Sequence, residues 1–305
     1  MKTTLFCNSL IVIPLLKKLV DKGDEIQLIT PQDYHQELDG LMQTAEEHNI
    51  PLLEIRKDEL NQEKNLLYQW VEKSDLMLGY TFPWILPEKL FSLCENAVNV
   101  HFSSLPYFRG SDPVYWHLKS GEKKIGITFH RLTDIPDEGS IIYNEEIDIL
   151  PGENYGLLQS RLSYKTAEIF TTFLSRLESN REITAKNISG SYFSRPSRKQ
   201  RTINWEIQCA DEIENLVNAC NPKYCGAMAM FRNMPVQIIE VSPADLGTPP
   251  VSRPGTIIFS DPTHGIFVLC RDFKVIKINV LKTKEGIFSS AKLAIMGCKK
   301  GEIFS

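Results

Sequence analysis

Long apolar runs are missing from this chain. No stretch approaches the length needed to cross a bilayer. The short apolar opening MKTTLFCNSLIVIPLLKKLV is broken by Asn8, Ser9 and Pro14 and followed by Lys17 and Lys18, so it reads as a strand, turn and helix rather than a signal peptide. Paired cysteines are missing too. The seven present, Cys7, Cys94, Cys209, Cys220, Cys225, Cys270 and Cys298, are scattered, with no Cys-x-x-Cys and no tight Cys/His spacing, which argues for a reduced, cytoplasmic protein without structural zinc. Glycine is absent between Phe6 and Ile11, where a dinucleotide-binding unit would place its phosphate turn, and this argues against a nicotinamide or flavin cofactor. Positive charge is absent from Gly23 through Ile55, a span that holds Asp24, Glu25, Asp33, Glu37, Asp39, Glu46, Glu47 and Glu54. With a net charge of −4, that weakens a nucleic-acid reading, because phosphate binding needs cations.

What is there is enough for two domains. The chain has 305 residues, 42% of them hydrophobic, so it can bury a sizeable core. Thr3–Cys7 reads as a strand, Ser9 caps a helix to about Asp21, and Glu25–Ile29 reads as a second strand, an opening that predicts a parallel sheet. A solvated acidic helix over Asp33–Asn49 follows, between two strands. Leu76–Tyr80, Ala97–Val100 and Ile125–His130 read as further strands, with a helix to about Cys94 after the first of them; Ile141–Ile149 reads as a strand of alternating polarity. The stripe Leu157, Leu158, Leu162, Ile169, Phe170, Phe173, Leu177 predicts a core helix over Asn154–Leu177. Asn180–Thr202 shifts composition, with Arg181, Lys186, Arg195, Arg198, Lys199 and Arg201 against Glu182 alone, and reads as a linker, either solvated or facing a substrate anion. Beyond Trp205 come a helix at Asp211–Ala219 and five short β-rich runs, Ala227–Arg232, Val236–Val241, Gly255–Phe259, Ile266–Cys270 and Lys274–Val280, which predict a small open barrel. This half carries 11 Lys+Arg against 10 Asp+Glu from Ile203 to Ser305, and so no obvious RNA-binding face. The fold class is thus α/β, a Rossmann-like parallel-sheet domain over 1–185, a linker over 186–202 and a small OB-like β-barrel over 203–305.

The chemistry concentrates between Asn99 and Gly139. Asn99 and His101 lie two apart on an extended segment, so both point to one face, and an amide donor beside an imidazole suits an oxygen that becomes negative as a reaction proceeds. Asp137, on the turn after the next strand, is a candidate proton carrier. No covalent nucleophile with its own base is evident. On the residues alone, a satisfied structural histidine is the competing reading.

The motifs Asn99-Val100-His101, Ser104-Leu105-Pro106, Phe108-Arg109-Gly110, Pro113, Gly126-Ile127-Thr128 and Asp137-Glu138-Gly139 resemble the signature of the folate-dependent formyltransferases. Ile203-Asn204-Trp205, Pro222-Lys223-Tyr224-Cys225-Gly226-Ala227, Pro254-Gly255-Thr256 and Gly301-Glu302 resemble the carboxy-terminal domain of the tRNA and amino-sugar branches. The resemblance implies N10-formyltetrahydrofolate as co-substrate, no metal, and direct attack of a primary amine on the formyl carbon. It implies that Asn99 and His101 stabilise the oxyanion, and that Asp137 favours the protonated His101 imidazole and relays protons. It places Pro83, Trp84 and Ile85 on one side of the pterin, and Thr133, Asp134, Ile135, Pro136 and Asp137 on the other. Asp134 also reads as a turn former, and Trp84 equally as core packing. Ser103, Arg109, Ser111 and Asp112 fall near the acceptor, Arg109 more as a carboxylate partner that fixes the loop. In the tRNA-directed members a basic insertion follows the second strand; here that segment is short and acidic. The expected acceptor is therefore a small-molecule amine, an amino-deoxy sugar nucleotide ahead of an amino-acid-derived amine such as hydroxyornithine. Methionyl-tRNA is the rival acceptor, and a folate-binding protein without turnover is the non-enzymatic alternative. No membrane partner is expected, and a homodimer is left open.

Overall fold

The computed structural model describes residues 1–32, 35–179, 182–183, 190–247 and 251–305. They fall into two compact units, one of 1–113, 125–147 and 159–193, the other of 114–124, 148–158 and 194–305.

The first unit is built on a seven-stranded sheet. Its strands are β1 (Lys2–Cys7), β2 (Glu25–Pro31), β3 (Leu52–Ile55), β4 (Leu76–Tyr80), β5 (Ala97–His101), β7 (Lys124–Arg131) and β8 (Ile141–Asp148), while β6 (Arg109–Gly110) lies outside it. The order is β3-β2-β1-β4-β5-β7-β8. β3, β2, β1, β4 and β5 pair in parallel, and β7 runs antiparallel to β5. The parallel strands read as near-continuous apolar runs because both faces are covered; β8 alternates instead, buried at its start and half exposed after it. The helices are α1 (Ile13–Asp21), α2 (His35–Glu47), α3 (Leu66–Glu72), α4 (Glu88–Phe91), α5 (Pro113–Ser120) and α6 (Tyr155–Glu178), the last two also contributing to the second unit. Ser9 caps a 3-10 turn, Leu10–Val12, and α1 begins only after it. The first residue expected of the acidic helix, Asp33, lies outside the described residues; the helix itself is α2, and the second of its flanking strands is β3. Phe129 on β7 stacks on Phe173 of α6 at 4.2 Å between ring centres, with Phe170 beside them; the expected stripe is buried from Leu158 to Leu177, but its first member, Leu157 in the opening turn of α6, is 60% exposed.

The segment read as a linker is folded where it is described. Ile183 bridges Ile141, and Glu182 takes a 2.8 Å hydrogen bond from Arg131 Nε. Tyr192–Phe193 form β9, parallel to β6. From Ser194 the chain belongs to the second unit. There Arg201 stacks on the Tyr224 ring at 4.5 Å, and the Gln200 carbonyl accepts from Tyr115 Oη and Lys119 Nζ. Composition misread this segment because its partners are distant in sequence. Arg181 and Lys186 lie outside the described residues.

The second unit holds α7 (Ala210–Cys220) and a six-stranded antiparallel sheet rather than five strands. Its strands are β10 (Ala227–Phe231), β11 (Met234–Ala244), β12 (Ile257–Asp261), β13 (Gly265–Leu269), β14 (Val275–Thr283) and the unforeseen β15 (Gly286–Ser289), after which comes α8 (Ser290–Ile295). The order is β10-β11-β14-β13-β12, with β15 on β14. The chain after α8 ties the two edges together. Ile257 N–H donates to Glu302 O on the β12 side, and Ser305 N–H and Met230 N–H exchange carbonyls on the β10 side. This closes the sheet and removes the open edges that invite aggregation. Arg232 holds the closing segment, donating from Nε to Glu302 Oε1 at 2.6 Å and from Nη2 to Glu302 Oε2 at 2.9 Å and Gly297 O at 2.7 Å.

Candidate active site

In open parallel sheets, ligands meet the carboxyl ends of the strands near a switch in strand order. β4 and β5 deliver such an end here, and a cluster of residues with left-handed backbone follows it: Thr81 (φ 61°), Phe108 (54°), Asp112 (61°) and Asp137 (62°). Strained positions of this kind persist where surrounding contacts over-determine them.

Asn99 and His101 stand on β5 with the spacing expected of one face. The antiparallel register sets Asn99 opposite His130 and His101 opposite Thr128. Asn99 Nδ2 lies 3.2 Å from His130 Nε2. His101 Nε2 lies 2.9 Å from Phe108 O, and its Nδ1 faces Asp137 Oδ1 at 3.6 Å. The same oxygen lies 3.6 Å from His130 Nε2, and Asp137 is only 10% exposed. Asp137 Oδ2 accepts from Gly110 N–H at 2.8 Å. One carboxylate thus sits between two imidazoles while its other oxygen is held by the neighbouring loop. Burial pushes His130 down to about 4, against the opposing pull of Asp137. The Cys7 thiol at the end of β1 is pushed up to about 12 by burial, which leaves it a poor nucleophile.

The loop from Ser103 to Asp112 is fastened from three sides. Thr128 Oγ1 donates to Ser103 O at 2.5 Å and accepts from Asn144 Nδ2 at 2.6 Å. Gly126 lets the chain cross here, since a Cβ on it would lie 2.4 Å from Ser104 N. Arg109 pairs with Glu138, the carboxylate role expected of it. On the third side Phe108 N–H donates to Ser191 Oγ at 2.9 Å, Arg109 N–H to Ser191 O at 2.9 Å and Ser111 N–H to Phe193 O at 2.8 Å, and the Phe108 and Phe193 rings stack. Among the acceptor-side candidates, Ser111 is exposed and Asp112 sits at the turn into α5. Ser103 is 0% exposed and its hydroxyl donates to Tyr107 O, so its side chain shapes the loop.

The two expected pterin-side segments rest on one apolar cluster, with Phe82 and Trp84 from one loop and Leu132 from the other packed against it. Trp84 is half-buried, edge-on to Phe82 at 5.5 Å. Ile85 at 72% and Ile135 at 52% hold apolar side chains in solvent. Pro83 is exposed and Pro136 half-buried. Asp134 accepts from Ile135 N–H, and Thr133 Oγ1 donates to Ile135 O, which makes these two the turn formers. His130 and Ser191 are the participants that sequence reasoning missed. His130 carried a signal, a histidine ending a buried strand two residues before the turn that leads to Asp137; Ser191 carried none.

The family model for formyl transferase matches residues 12–174, and that for the formyl transferase C-terminal domain matches residues 196–298. The chain belongs to the formyl transferase family. A methionyl-tRNA formyltransferase of Alkaliphilus oremlandii is 32% identical to this formyl transferase over 225 residues, covering 69% of this chain and 70% of that protein. The fold is shared with HypX from Aquifex aeolicus, solved with tetrahydrofolic acid, at a TM-score of 0.69 and 15% identity over 98% of this chain; this chain spans 48% of that one. It is also shared with WlaRD, a sugar 3N-formyl transferase solved with dTDP and 5-N-formyl-THF, at a TM-score of 0.68 and 20% identity, over 90% of this chain and 96% of that one. Among the described residues no group of His, Cys, Asp and Glu is arranged to hold a metal ion, and no helix is long and apolar enough to cross a membrane.

Proposed function

We propose that this formyl transferase moves a formyl group from N10-formyltetrahydrofolate to the primary amine of a small molecule, an amino-deoxy sugar nucleotide first among them. The observation that carries the reaction is that, at the carboxyl end of β5, His101 faces Asp137 at 3.6 Å while Asn99 reaches the same carboxylate through His130, to which both are close. The exposed apolar side chains of Ile85 and Ile135, on loops backed by one apolar cluster, suit the faces of a flat ring, so the residues present fit the folate. Bound there, the folate supplies the formyl group and leaves as tetrahydrofolate.

The residues divide the work. Asn99 aims an amide N–H at the formyl oxygen, where negative charge grows as the amine attacks. His101 adds its own donor by turning Nε2–H from the Phe108 carbonyl toward that oxygen. Asp137 takes the proton the amine must lose, directly or through one water, and delivers it toward the departing nitrogen. Holding donor and amine side by side supplies much of the acceleration.

The small-molecule acceptor rests on charge. α2 and the segment around it carry no Lys or Arg, so no cationic insertion stands ready for an acceptor stem. Methionyl-tRNA is the second reading, favoured by the 32% identical relative. Tetrahydrofolate release from N10-formyltetrahydrofolate, with dTDP- and UDP-linked amino sugars, hydroxyornithine and methionyl-tRNA in parallel, decides. Turnover of a sugar nucleotide is expected. Turnover of methionyl-tRNA alone overturns the charge argument, and folate binding without any turnover overturns the enzymatic reading.

A further inference from the structure

We propose that His130 is a positioning residue, holding the Asn99 carboxamide in the one orientation that leaves an amide hydrogen free for the formyl oxygen. The inference rests on the role given to Asn99 above, and it starts from what each atom can donate.

His130 Nδ1 lies 3.0 Å from the Arg131 carbonyl oxygen. A carbonyl only accepts, so Nδ1 carries the proton. The ring is 2% exposed, and burial disfavours the charged form strongly enough to keep it neutral at pH 7. Nε2 is therefore a bare lone pair. Asn99 Nδ2 at 3.2 Å must be the donor to it, and the amide cannot flip, since a flipped Oδ1 would face that lone pair.

The other side of the amide agrees. Gly79 is paired with Asn99 across β4 and β5, and a Cβ on it would stand 2.7 Å from Asn99 Oδ1. Glycine leaves the space in which that oxygen sits. With Oδ1 lodged against β4 and one Nδ2 hydrogen bonded to His130, the second Nδ2 hydrogen is the free one. The charged and titratable groups around the ring are Asp137, 3.6 Å from Nε2, and His101, whose ring centre is 6.4 Å away. A protonated Nε2 would donate to Asp137 and give up Asn99, so the neutral Nδ1–H form is the one that positions the amide.

Two measurements test this. Nitrogen-15 NMR of the histidine-labelled protein reads the tautomer without any substrate. A protonated Nδ1 and a bare Nε2 at pH 7 are expected for His130; an Nε2–H tautomer or an imidazolium overturns the proposal. Kinetics with N10-formyltetrahydrofolate and the acceptor panel above then read the consequence. His130→Leu, which fills the space but accepts nothing, should lower kcat about tenfold or more, on the scale of a weakened oxyanion donor, with KM for the folate little changed. His130→Gln, whose amide oxygen can accept from Asn99, should recover most of that loss. Because His130 acts through Asn99, the pair Asn99→Ala/His130→Leu should be no slower than Asn99→Ala alone. Equal rates for wild type and His130→Leu, or equal damage from Leu and Gln, overturn the proposal for His130. A fully active Asn99→Ala instead overturns the role given to Asn99, and the tautomer result still stands by itself.

Discussion

The burial of His130 should make the stability of this protein depend on pH in a way that one substitution removes. In the unfolded chain His130 titrates at its ordinary 6.5, and in the folded chain at about 4, chiefly because burial disfavours its charged form. Between those values the unfolded state binds a proton that the folded state refuses, so stability rises with pH. His130 therefore leaves stability intact above about pH 6.5 and removes it progressively as the pH falls toward 4. At 1.36 kcal/mol per pH unit, the loss from pH 7 to pH 5 comes to about 2 kcal/mol, and the full loss below pH 4 to about 3 kcal/mol. Other groups that titrate over this range away from His130 do so alike in wild type and His130→Gln, so the comparison isolates the ring and the groups facing it. Urea unfolding at pH 7 and pH 5 should show the wild type losing about 2 kcal/mol more than the variant. Parallel losses would mean that the ring titrates in the folded protein as it does in the unfolded one, and the account of a shielded, neutral imidazole between Asn99 and Asp137 would be wrong.

Two further outcomes follow from packing and charge. Gly79→Ala sets a Cβ 2.7 Å from Asn99 Oδ1 and should displace the amide, lowering kcat about tenfold with thermal unfolding changed far less than activity; an unchanged kcat would show that the amide's seat against β4 does not matter. Arg232→Ala removes the fork that holds Glu302. Since both side chains are partly exposed, it should cost about 1 kcal/mol or less, shrinking further in high salt. Chemical unfolding at two ionic strengths checks it, and a salt-independent loss would assign the effect to packing.

Much of the site was legible in the sequence because β-strands have a period of two. Asn99 and His101 had to share a face once the chain from Ala97 was taken as extended through His101, and they do. Asp137 was legible only as a carboxylate on the turn after the next strand, and the resemblance tied it to His101, since nothing local says which carboxylate a turn will bring to a histidine. His130 was hidden because its role depends on the antiparallel pairing of β5 with β7, a non-local register that side-chain pattern does not encode. Ser191 was hidden for a different reason. The charge-rich surroundings of β9 read as linker, while the hydrogen bonds that fold it are made by backbone groups of the distant loop at Phe108 to Ser111. In the second half, β15 and α8 are too short for periodicity to reveal, and the closure of the sheet by the chain after α8 is again non-local.

The arrangement of the two compact units bears on how such a protein can be recombined. The two family models tile the chain in succession, 12–174 and then 196–298, and a single crossover near residue 194 looks like a clean boundary between exchangeable modules. The folded units are not successive. Residues 114–124 and 148–158 lie inside the first matched stretch but belong to the second unit, so the chain passes from one unit to the other five times. A recombinant that took its carboxy-terminal half from a relative would keep two native segments whose packing partners had been replaced. A successful chimaera would therefore have to carry those two short segments along with the module they fold into.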